Sequence, residues 1–178
     1  MSVTAQETGP TEFNQQRKHS ISLGFSITSF SNDMTYMFTP AYHFRTGRHQ
    51  FMLCLNAGRS EALQGQTDIG PGLRYRLYPF KNKRDIRLFA QAGADYLFQD
   101  NKVRSARSIL YHVGPGVEAD LTEKLSIGAN VDIGIATEIK AHSKNTELIS
   151  AGANRDPRLL LLPYIRLTYS FGKKVLRN

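Results

Sequence analysis

The chain has 178 residues and a formal net charge of +8, and 40% of its residues are hydrophobic. This length suits a single domain, and no apolar run approaches the roughly 18 residues that a membrane-spanning helix requires. Cys54 is the one cysteine, which excludes an internal disulfide and a zinc site built from cysteines.

The first residues of the chain are polar. Met1–Gln16 includes Pro10 and lacks both the basic start and the apolar core of a secretory signal. We therefore predict a flexible lead-in over 1–17, a folded domain over 18–172 and a basic tail over 173–178. If the protein is exported, we expect its signal to have been removed; the alternative is a cytoplasmic protein that never carried one.

Eight segments of the chain alternate apolar residues with small or polar ones, as in the sequence ISLGFSI at 21–27. Alternation with a period of two places the apolar residues on one face of a β-strand. The predicted strands cover about 19–28, 34–45, 50–58, 67–78, 85–98, 108–119, 125–137 and 159–171. An even number of such strands is typical of an outer-membrane barrel, and a mean hydropathy of −0.37 agrees with strands that expose only alternate residues to lipid.

The gaps between apolar sets are mostly longer after odd-numbered strands. Bacterial outer-membrane barrels have short periplasmic turns and longer extracellular loops. We therefore expect both termini in the periplasm and four loops outside the cell. These loops cover 29–33, 59–66, 99–107 and 138–158.

Each even-numbered strand carries one proline on its apolar face. These prolines are Pro40, Pro71, Pro115 and Pro163. Because proline cannot donate to a β-ladder, the matching positions predict either tolerated bulges in otherwise strong strands or a shared hairpin ancestor. Coincidence is the alternative.

The polar faces of the strands are rich in glycine and serine, whereas lysine is concentrated in the connections. Small side chains suit the concave interior of an eight-stranded barrel, which leaves room only for side chains. The charged residues on these faces balance by sign, four arginines against four carboxylates. The predicted network comprises Asp68, Arg74, Arg76, Arg87, Asp95, Glu118, Asp132 and Arg166, with His43 and His112 as further partners. Charges in a narrow lumen must be neutralised, so we expect a polar plug and not an open pore.

Aromatic residues on the apolar face concentrate toward the strand ends. This set comprises Tyr36, Tyr42, Phe44, Phe51, Tyr96, Phe98, Tyr111, Tyr169 and Phe171, whereas Phe25, Phe38 and Tyr75 lie away from the ends. Aromatic girdles at the two membrane interfaces predict such a distribution.

The last strand reads YIRLTYSFGKK from Tyr164 and resembles the closing strand of small bacterial outer-membrane β-barrel proteins. The Gly-Pro-Gly segments at 70–72 and 114–116 resemble those of Bacteroidetes-type members. The resemblance implies an all-β, eight-stranded, antiparallel up-and-down transmembrane barrel in the outer membrane, and it implies no particular substrate. The chain departs from the family pattern by continuing past Phe171.

Two residue sets were considered for catalysis, because some small outer-membrane barrels modify lipid A. The first set, Glu138, His142, Ser143 and Glu147, lies in or beside the predicted loop 138–158. The adjacent His142 and Ser143 side chains would point apart there.

The second set, Ser108, His112 and Glu118, lies on one strand face. At about 3.3 Å per residue, Ser108 and His112 are roughly 13 Å apart. We assign no catalytic residue from either set. His43, His49 and His112 lack the spacing of a metal-ligand pair, and neither a metal nor a cofactor is expected.

The extracellular cations are the candidates for a lipid partner, since arginine binds phosphate through two hydrogen bonds. The predicted lipopolysaccharide contacts are Lys102, Arg104, Arg107, Arg155 and Arg158. A merely solvated charged loop is the alternative. Nucleic acid is not an expected partner, because the cations are scattered through connections and form no aromatic-interleaved stripe.

The sequence thus favours a monomeric outer-membrane barrel whose extracellular loops carry a structural, adhesive or ligand-binding role. One alternative is a lipid A-modifying enzyme, a deacylase or acyltransferase of the same fold. A second is a soluble lipocalin-like barrel with an apolar ligand inside. Pore activity is the least expected function.

Overall fold

The computed structural model describes residues 19–30, 33–60, 65–80, 86–144 and 158–171. The predicted lead-in over 1–17 and basic tail over 173–178 lie outside the described residues. Among those described, no helix is long and apolar enough to cross a membrane.

Eight antiparallel strands form one closed barrel, in which each strand pairs with its neighbours in the chain and β8 closes onto β1. The strands are β1 His19–Phe30, β2 Asp33–Thr46, β3 His49–Ser60, β4 Gln66–Leu77, β5 Ile86–Asp100, β6 Arg104–Asp120, β7 Leu125–Ser143 and β8 Arg158–Phe171. This confirms the predicted eight-stranded up-and-down architecture.

The alternation in sequence becomes an alternation between the outside and the inside of the barrel. Leu53 and Ile165 point outward and are 62% and 60% exposed, whereas Arg74 and Asp95 point into the lumen and are 1% and 0% exposed. Leucine and isoleucine are normally buried and charged side chains normally exposed in a water-soluble protein. The predicted orientation of the two faces is confirmed, and it is the reverse of the lipocalin-like alternative.

A tight turn joins β2 and β3 at Thr46, Gly47 and Arg48. Gly47 has a φ of 57°, in the left-handed region that a side chain disfavours. This turn lies on the same rim as His19 and Phe171, which form a Cα pair at the end of β1 and β8. We call this the terminal rim, and the opposite end the loop rim.

At the loop rim, several strands run beyond their predicted ends. β6 begins at Arg104 and not at 108, and β7 continues to Ser143 and not to 137, with Arg104 and Ser143 as paired residues. The expected loops 99–107 and 138–158 are therefore too long. Strand pairing continues past the point where the apolar alternation stops. The alternation marks only the part of each strand with an apolar outer face, so it underestimates the length of strands that extend beyond that part.

The predicted alternation of connection lengths is wrong for the same reason. The connection 78–85 on the terminal rim is longer than 101–103 on the loop rim. The connection between β7 and β8 remains the longest, as predicted.

The four prolines do not create bulges. Pairing of β2 with β3 skips Thr39 and Pro40 and resumes in unchanged register, and the same occurs at Pro71 between β4 and β5. Pro115 interrupts the ladder between β6 and β7 in the same way, whereas β8 stops pairing with β1 just before Pro163. Each proline thus has a Cα partner on the preceding strand of the barrel. At the proline, its own strand does not pair with the strand that follows it, and this shared pattern agrees with a repeated hairpin.

The register shift lies instead between Arg107 and Ser108. Ser108 pairs with Glu138 and Arg107 with Lys140, so β7 carries Ile139 as an extra residue there.

Aromatic side chains cluster outside the terminal rim. His19 contacts the rings of Tyr42, Phe44 and Phe171, with centroid distances of 6.0, 5.5 and 6.2 Å. Tyr75, which the sequence placed away from the ends, also belongs to this group, because its ring centroid lies 5.4 Å from that of Phe51. A girdle of this kind is what a membrane interface favours.

Candidate functional site in the barrel lumen

The lumen contains two connected polar clusters and one apolar cluster. The polar clusters fill the middle of the barrel and the terminal-rim half, and the apolar cluster lies toward the loop rim.

Arg74 and Asp95 form the centre of the middle cluster. The guanidinium of Arg74 lies 3.0 Å from the Asp95 carboxylate, and neither side chain is exposed. The same guanidinium nitrogen donates to Asn56 Oδ1 at 3.0 Å and to the Tyr164 hydroxyl at 3.2 Å. These residues come from β3, β4, β5 and β8, so the contacts cross the lumen and do not simply follow one ladder.

His112 extends this cluster toward β7. Its Nδ1 lies 2.7 Å from Asp132 Oδ2, and its Nε2 lies 3.4 Å from Asp95 Oδ2. Asn130 Nδ2 donates to the other oxygen of Asp132 at 2.8 Å. The imidazole therefore lies between two carboxylates.

Gln91 joins the middle cluster to the second polar cluster. Its amide donates to Asp132 at 2.7 Å, and its carbonyl oxygen accepts from Arg76 Nε at 2.8 Å. Arg76 in turn lies 3.4 Å from Glu118 and 4.0 Å above the ring centroid of Phe89.

Glu118 is the shared acceptor of the second cluster. Besides Arg76, it accepts from Arg87 at 2.6 Å and lies 3.1 Å from the Tyr78 hydroxyl. Arg45 stacks over the Tyr78 ring at 3.9 Å. Cations thus surround one buried carboxylate, which satisfies a group that would be costly to bury alone.

Sequence reasoning missed Arg45, Tyr78 and Asp120, which pairs with Arg87 at the rim. Arg45 follows His43 by two residues, and Tyr78 follows Arg76 by two. Arg45 and Tyr78 would both have been found by extending the alternation one residue beyond the last apolar position of each strand.

The loop-rim half of the lumen is apolar. Met37, Leu97, Leu110 and Leu162 pack there against Tyr164 and are each at most 5% exposed. The alternation gave no sign of this cluster, because an inward leucine next to an outward leucine, as at 159–162, obscures the pattern.

Two members of the predicted network have no opposite charge as a partner among the described residues. Asp68 accepts from the Gln66 amide at 2.7 Å and forms no ion pair there. Arg166 contacts the sulfur of Met52 at 3.2 Å and likewise has no carboxylate partner. The predicted four-against-four matching is therefore wrong for these two residues, because pairing depends on the stagger of strands around the closed barrel.

His43, also predicted for the lumen, is buried and hydrogen-bonds Ser22, with 2.6 Å between Oγ and Nε2.

Glycines give the network its space. A Cβ on Gly93 would lie 2.6 Å from the His112 ring and 2.9 Å from Arg74 Cγ, and one on Gly72 would lie 1.9 Å from an Asp95 oxygen. All three separations are shorter than real Cβ contacts, so a side chain at either position would displace the charged groups that meet there.

In the two residue sets from which no catalytic residue was assigned, several described members have other partners. The Ser108 hydroxyl donates to Gln99 at 2.6 Å, while His112 and Glu118 are engaged with Asp132 and the arginines. Glu138 forms an ion pair with Arg104, and Glu147 lies outside the described residues.

No group of three or more His, Cys, Asp or Glu in the described part of the chain could hold a metal ion.

Three of the predicted lipopolysaccharide contacts, Lys102, Arg104 and Arg107, lie at the loop rim. Lys102 and Arg107 are exposed, whereas Arg104 is engaged by Glu138. Arg155 lies outside the described residues; Arg158 begins β8, and its side chain is not described. Arg107 has an unpredicted neighbour of the same sign, Lys140, which is its Cα partner across the ladder and is exposed on the same wall.

No protein-family model and no curated protein sequence matches the chain. Among solved structures, the chain is similar to Neisserial surface protein A, with a TM-score of 0.61 and 10% identity over 86% of this chain and 96% of that one. It is also similar to the N-terminal β-barrel domain of Pseudomonas aeruginosa OprF, with a TM-score of 0.54 and 10% identity over 88% of this chain and 100% of that one. At this identity the likeness establishes the fold, an eight-stranded barrel of the kind found in bacterial outer-membrane proteins.

Proposed function

We propose that the chain is an integral protein of a bacterial outer membrane, with its apolar wall in the lipid and the loop rim outside the cell. The observation that carries this proposal is the inversion of the two faces. Ile165 is 60% exposed in the middle of β8, while the neighbouring Arg166 is 1% exposed in the lumen. A wall of this kind is stable against hydrocarbon and unfavourable against water.

Refolding tests the membrane assignment. We expect the denatured protein to fold only with detergent micelles or lipid vesicles, and to give a compact, heat-modifiable band in electrophoresis. A folded monomer in plain buffer would contradict the proposal.

The biochemical role that fits this barrel is structural or adhesive, or the binding of a ligand at the loop rim. Packed side chains occupy the lumen, which favours a plug over a pore, and the contacts of Ser108 and His112 do not favour lipid A catalysis. We further propose that the protein acts as a monomer. We also propose that the chain belongs to the Bacteroidetes-type group, on the basis of its closing strand and of the Gly-Pro-Gly segments at 70–72 and 114–116.

Lipopolysaccharide is the partner we propose for the loop-rim cations. Arg107 and Lys140 face the same side of the wall on neighbouring strands, and like charges directly opposite each other in a ladder repel. Arg107 also lies over the outward-facing ring of Phe98, with 5.7 Å from its guanidinium carbon to the ring centroid. A phosphate between the two cations would relieve the repulsion at the level where aromatic residues meet lipid headgroups.

The double variant Arg107→Gln and Lys140→Gln tests this site. We expect it to bind lipopolysaccharide several-fold more weakly than the wild type in detergent. The matched control, Arg48→Gln with Lys124→Gln, removes two exposed cations from the terminal rim and should bind normally. Equal binding by both double variants would remove these two residues as the contact.

A further inference from the structure

Arg166 is a buried guanidinium without a counter-charge. It is 1% exposed, and one nitrogen, Nη1, lies 3.2 Å from the sulfur of Met52. Its Nε and Nη2 have no hydrogen-bond partner among the described residues. A guanidinium carries five N–H donors, and a thioether sulfur is a weak acceptor without charge. The positive charge of Arg166 is therefore not neutralised by its contacts.

The carboxylates of the two polar clusters already have other partners; Asp132 lies 2.7 Å from His112 Nδ1. Asp95 is bound by Arg74 and lies beside His112, and Glu118 is bound by Arg76 and Arg87. These carboxylates therefore do not neutralise Arg166.

The strands on either side of Arg166 add no side chain. Its two Cα partners are Gly24 on β1 and Gly128 on β7. A Cβ on Gly24 would already lie 3.5 Å from Arg166 Nε, and one on Gly128 would meet only atoms at 3.4 Å or beyond. Arg166 therefore has a glycine on each side of it across the ladders, and neither glycine offers a side chain to its guanidinium.

The surroundings of Arg166 add further positive potential. The charged groups that act on it most strongly are the guanidiniums of Arg76 and Arg74. Arg74 Nε, Arg74 Nη1 and Arg76 Nη2 also have no hydrogen-bond partner among the described residues. Unpaired guanidinium donors therefore remain in this part of the lumen, and a buried cation needs an anionic partner.

We propose that this part of the lumen binds a small monovalent anion of the halide class, held by Arg166 and neighbouring donors. The size limit follows from the architecture, because the interior of an eight-stranded barrel is just wide enough for side chains to fill. The anion would complete the charge balance that Asp68 was expected to supply. This inference does not depend on the location of the barrel or on its partner at the loop rim.

Met52 offers a direct substitution test, because glutamate is close to methionine in length and would place a carboxylate at the sulfur position. We expect the thermal unfolding midpoint of the refolded wild type to rise with the logarithm of bromide concentration, relative to gluconate at equal ionic strength. The Met52→Glu variant should lose this dependence, because it carries its own counter-charge. The matched Met52→Gln variant has the same length without the charge and should retain it.

Two results of the unfolding experiment would overturn the proposal. One is a wild-type midpoint that is the same in bromide and gluconate. The other is a bromide dependence that persists undiminished in both Met52→Glu and Arg166→Gln. A bromide-soaked crystal gives an independent check, in which the proposal requires an anomalous peak within about 4 Å of the Arg166 guanidinium, the range of a charged contact. The absence of a peak there would also overturn it.

Discussion

The guanidinium of Arg74 and the carboxylate of Asp95 lie 3.0 Å apart in the middle of the barrel, and neither side chain is exposed. Arg74 comes from β4 and Asp95 from β5, while Asn56 and Tyr164 add contacts from β3 and β8. The pair therefore ties together strands that are not all neighbours in the barrel. Its stability depends on the whole set of contacts, because desolvation opposes each isolated charge.

Removing the charge of Asp95 is expected to destabilise the barrel strongly. Asp95→Asn leaves Arg74 buried without its carboxylate, which costs about 3–5 kcal/mol in comparable buried pairs. Reversible urea unfolding in lipid vesicles measures this. The control, Asp100→Asn, removes a carboxylate from the exposed pair with Lys144 and should change the free energy of unfolding little. Equal effects of the two substitutions would contradict a central role for the Arg74–Asp95 pair.

Gly93 is expected to tolerate no side chain. In Gly93→Ala, the new Cβ would lie 2.6 Å from the His112 ring, which must move away from Asp132. We expect a loss of about 1–3 kcal/mol in the free energy of unfolding, as for other overpacked sites. Gly128→Ala is the control, because its Cβ would make ordinary contacts at 3.4 Å and beyond. If Gly93→Ala is as stable as Gly128→Ala, the space around His112 is larger than described.

Charge on the outer wall is expected to cost stability according to depth. Ile165 and Leu121 are similarly exposed, at 60% and 55%, but Ile165 lies in the middle of β8 and Leu121 in the turn between β6 and β7 at the terminal rim. Ile165→Arg should lower the free energy of unfolding in vesicles by about 2–4 kcal/mol, and Leu121→Arg by about 0–1 kcal/mol. A wall that faced water would accept both arginines with little change.

The proposed plug predicts an electrically silent barrel. Met37, Leu97, Leu110 and Leu162 lie toward the loop rim, and the arginine–carboxylate clusters lie in the rest of the lumen. In a planar bilayer the purified protein should give no steady conductance above that of a detergent control. Regular single-channel steps would show that these side chains leave a continuous water path.

The fold could be predicted from the sequence because the side chains of each strand alternate with a period of two. Ile21, Leu23, Phe25 and Ile27 on β1 face outward, and Ser22, Gly24 and Ser26 face inward, as the alternation requires. At the loop rim the alternation no longer predicts where a strand ends. There β7 continues through Ile139 and Lys140 beyond the apolar band, and no alternation marks its end.

The lumen residues could be predicted as a set but not as pairs. Arg74, Asp95 and Glu118 were identified from their inward phase, and each lies within 4 Å of an opposite charge. Arg166 and Asp68 were identified in the same way, yet neither has such a partner among the described residues. Which inward side chains meet depends on the stagger of the strands and on long-range closure between β1 and β8, and a pattern within one strand carries no information about either.

Whether the outer wall faces lipid is tested most directly by a nitroxide attached to Ile165→Cys in a Cys54→Ser background and measured by electron paramagnetic resonance in lipid vesicles. We predict that the label is accessible to oxygen, which dissolves in hydrocarbon, and protected from a water-soluble nickel chelate. A label at Thr46→Cys, in the turn at the terminal rim, should show the opposite preference. A label at Ile165 that the nickel chelate reaches as readily as it reaches Thr46 would contradict the account, because the outer wall of the barrel would then be in water.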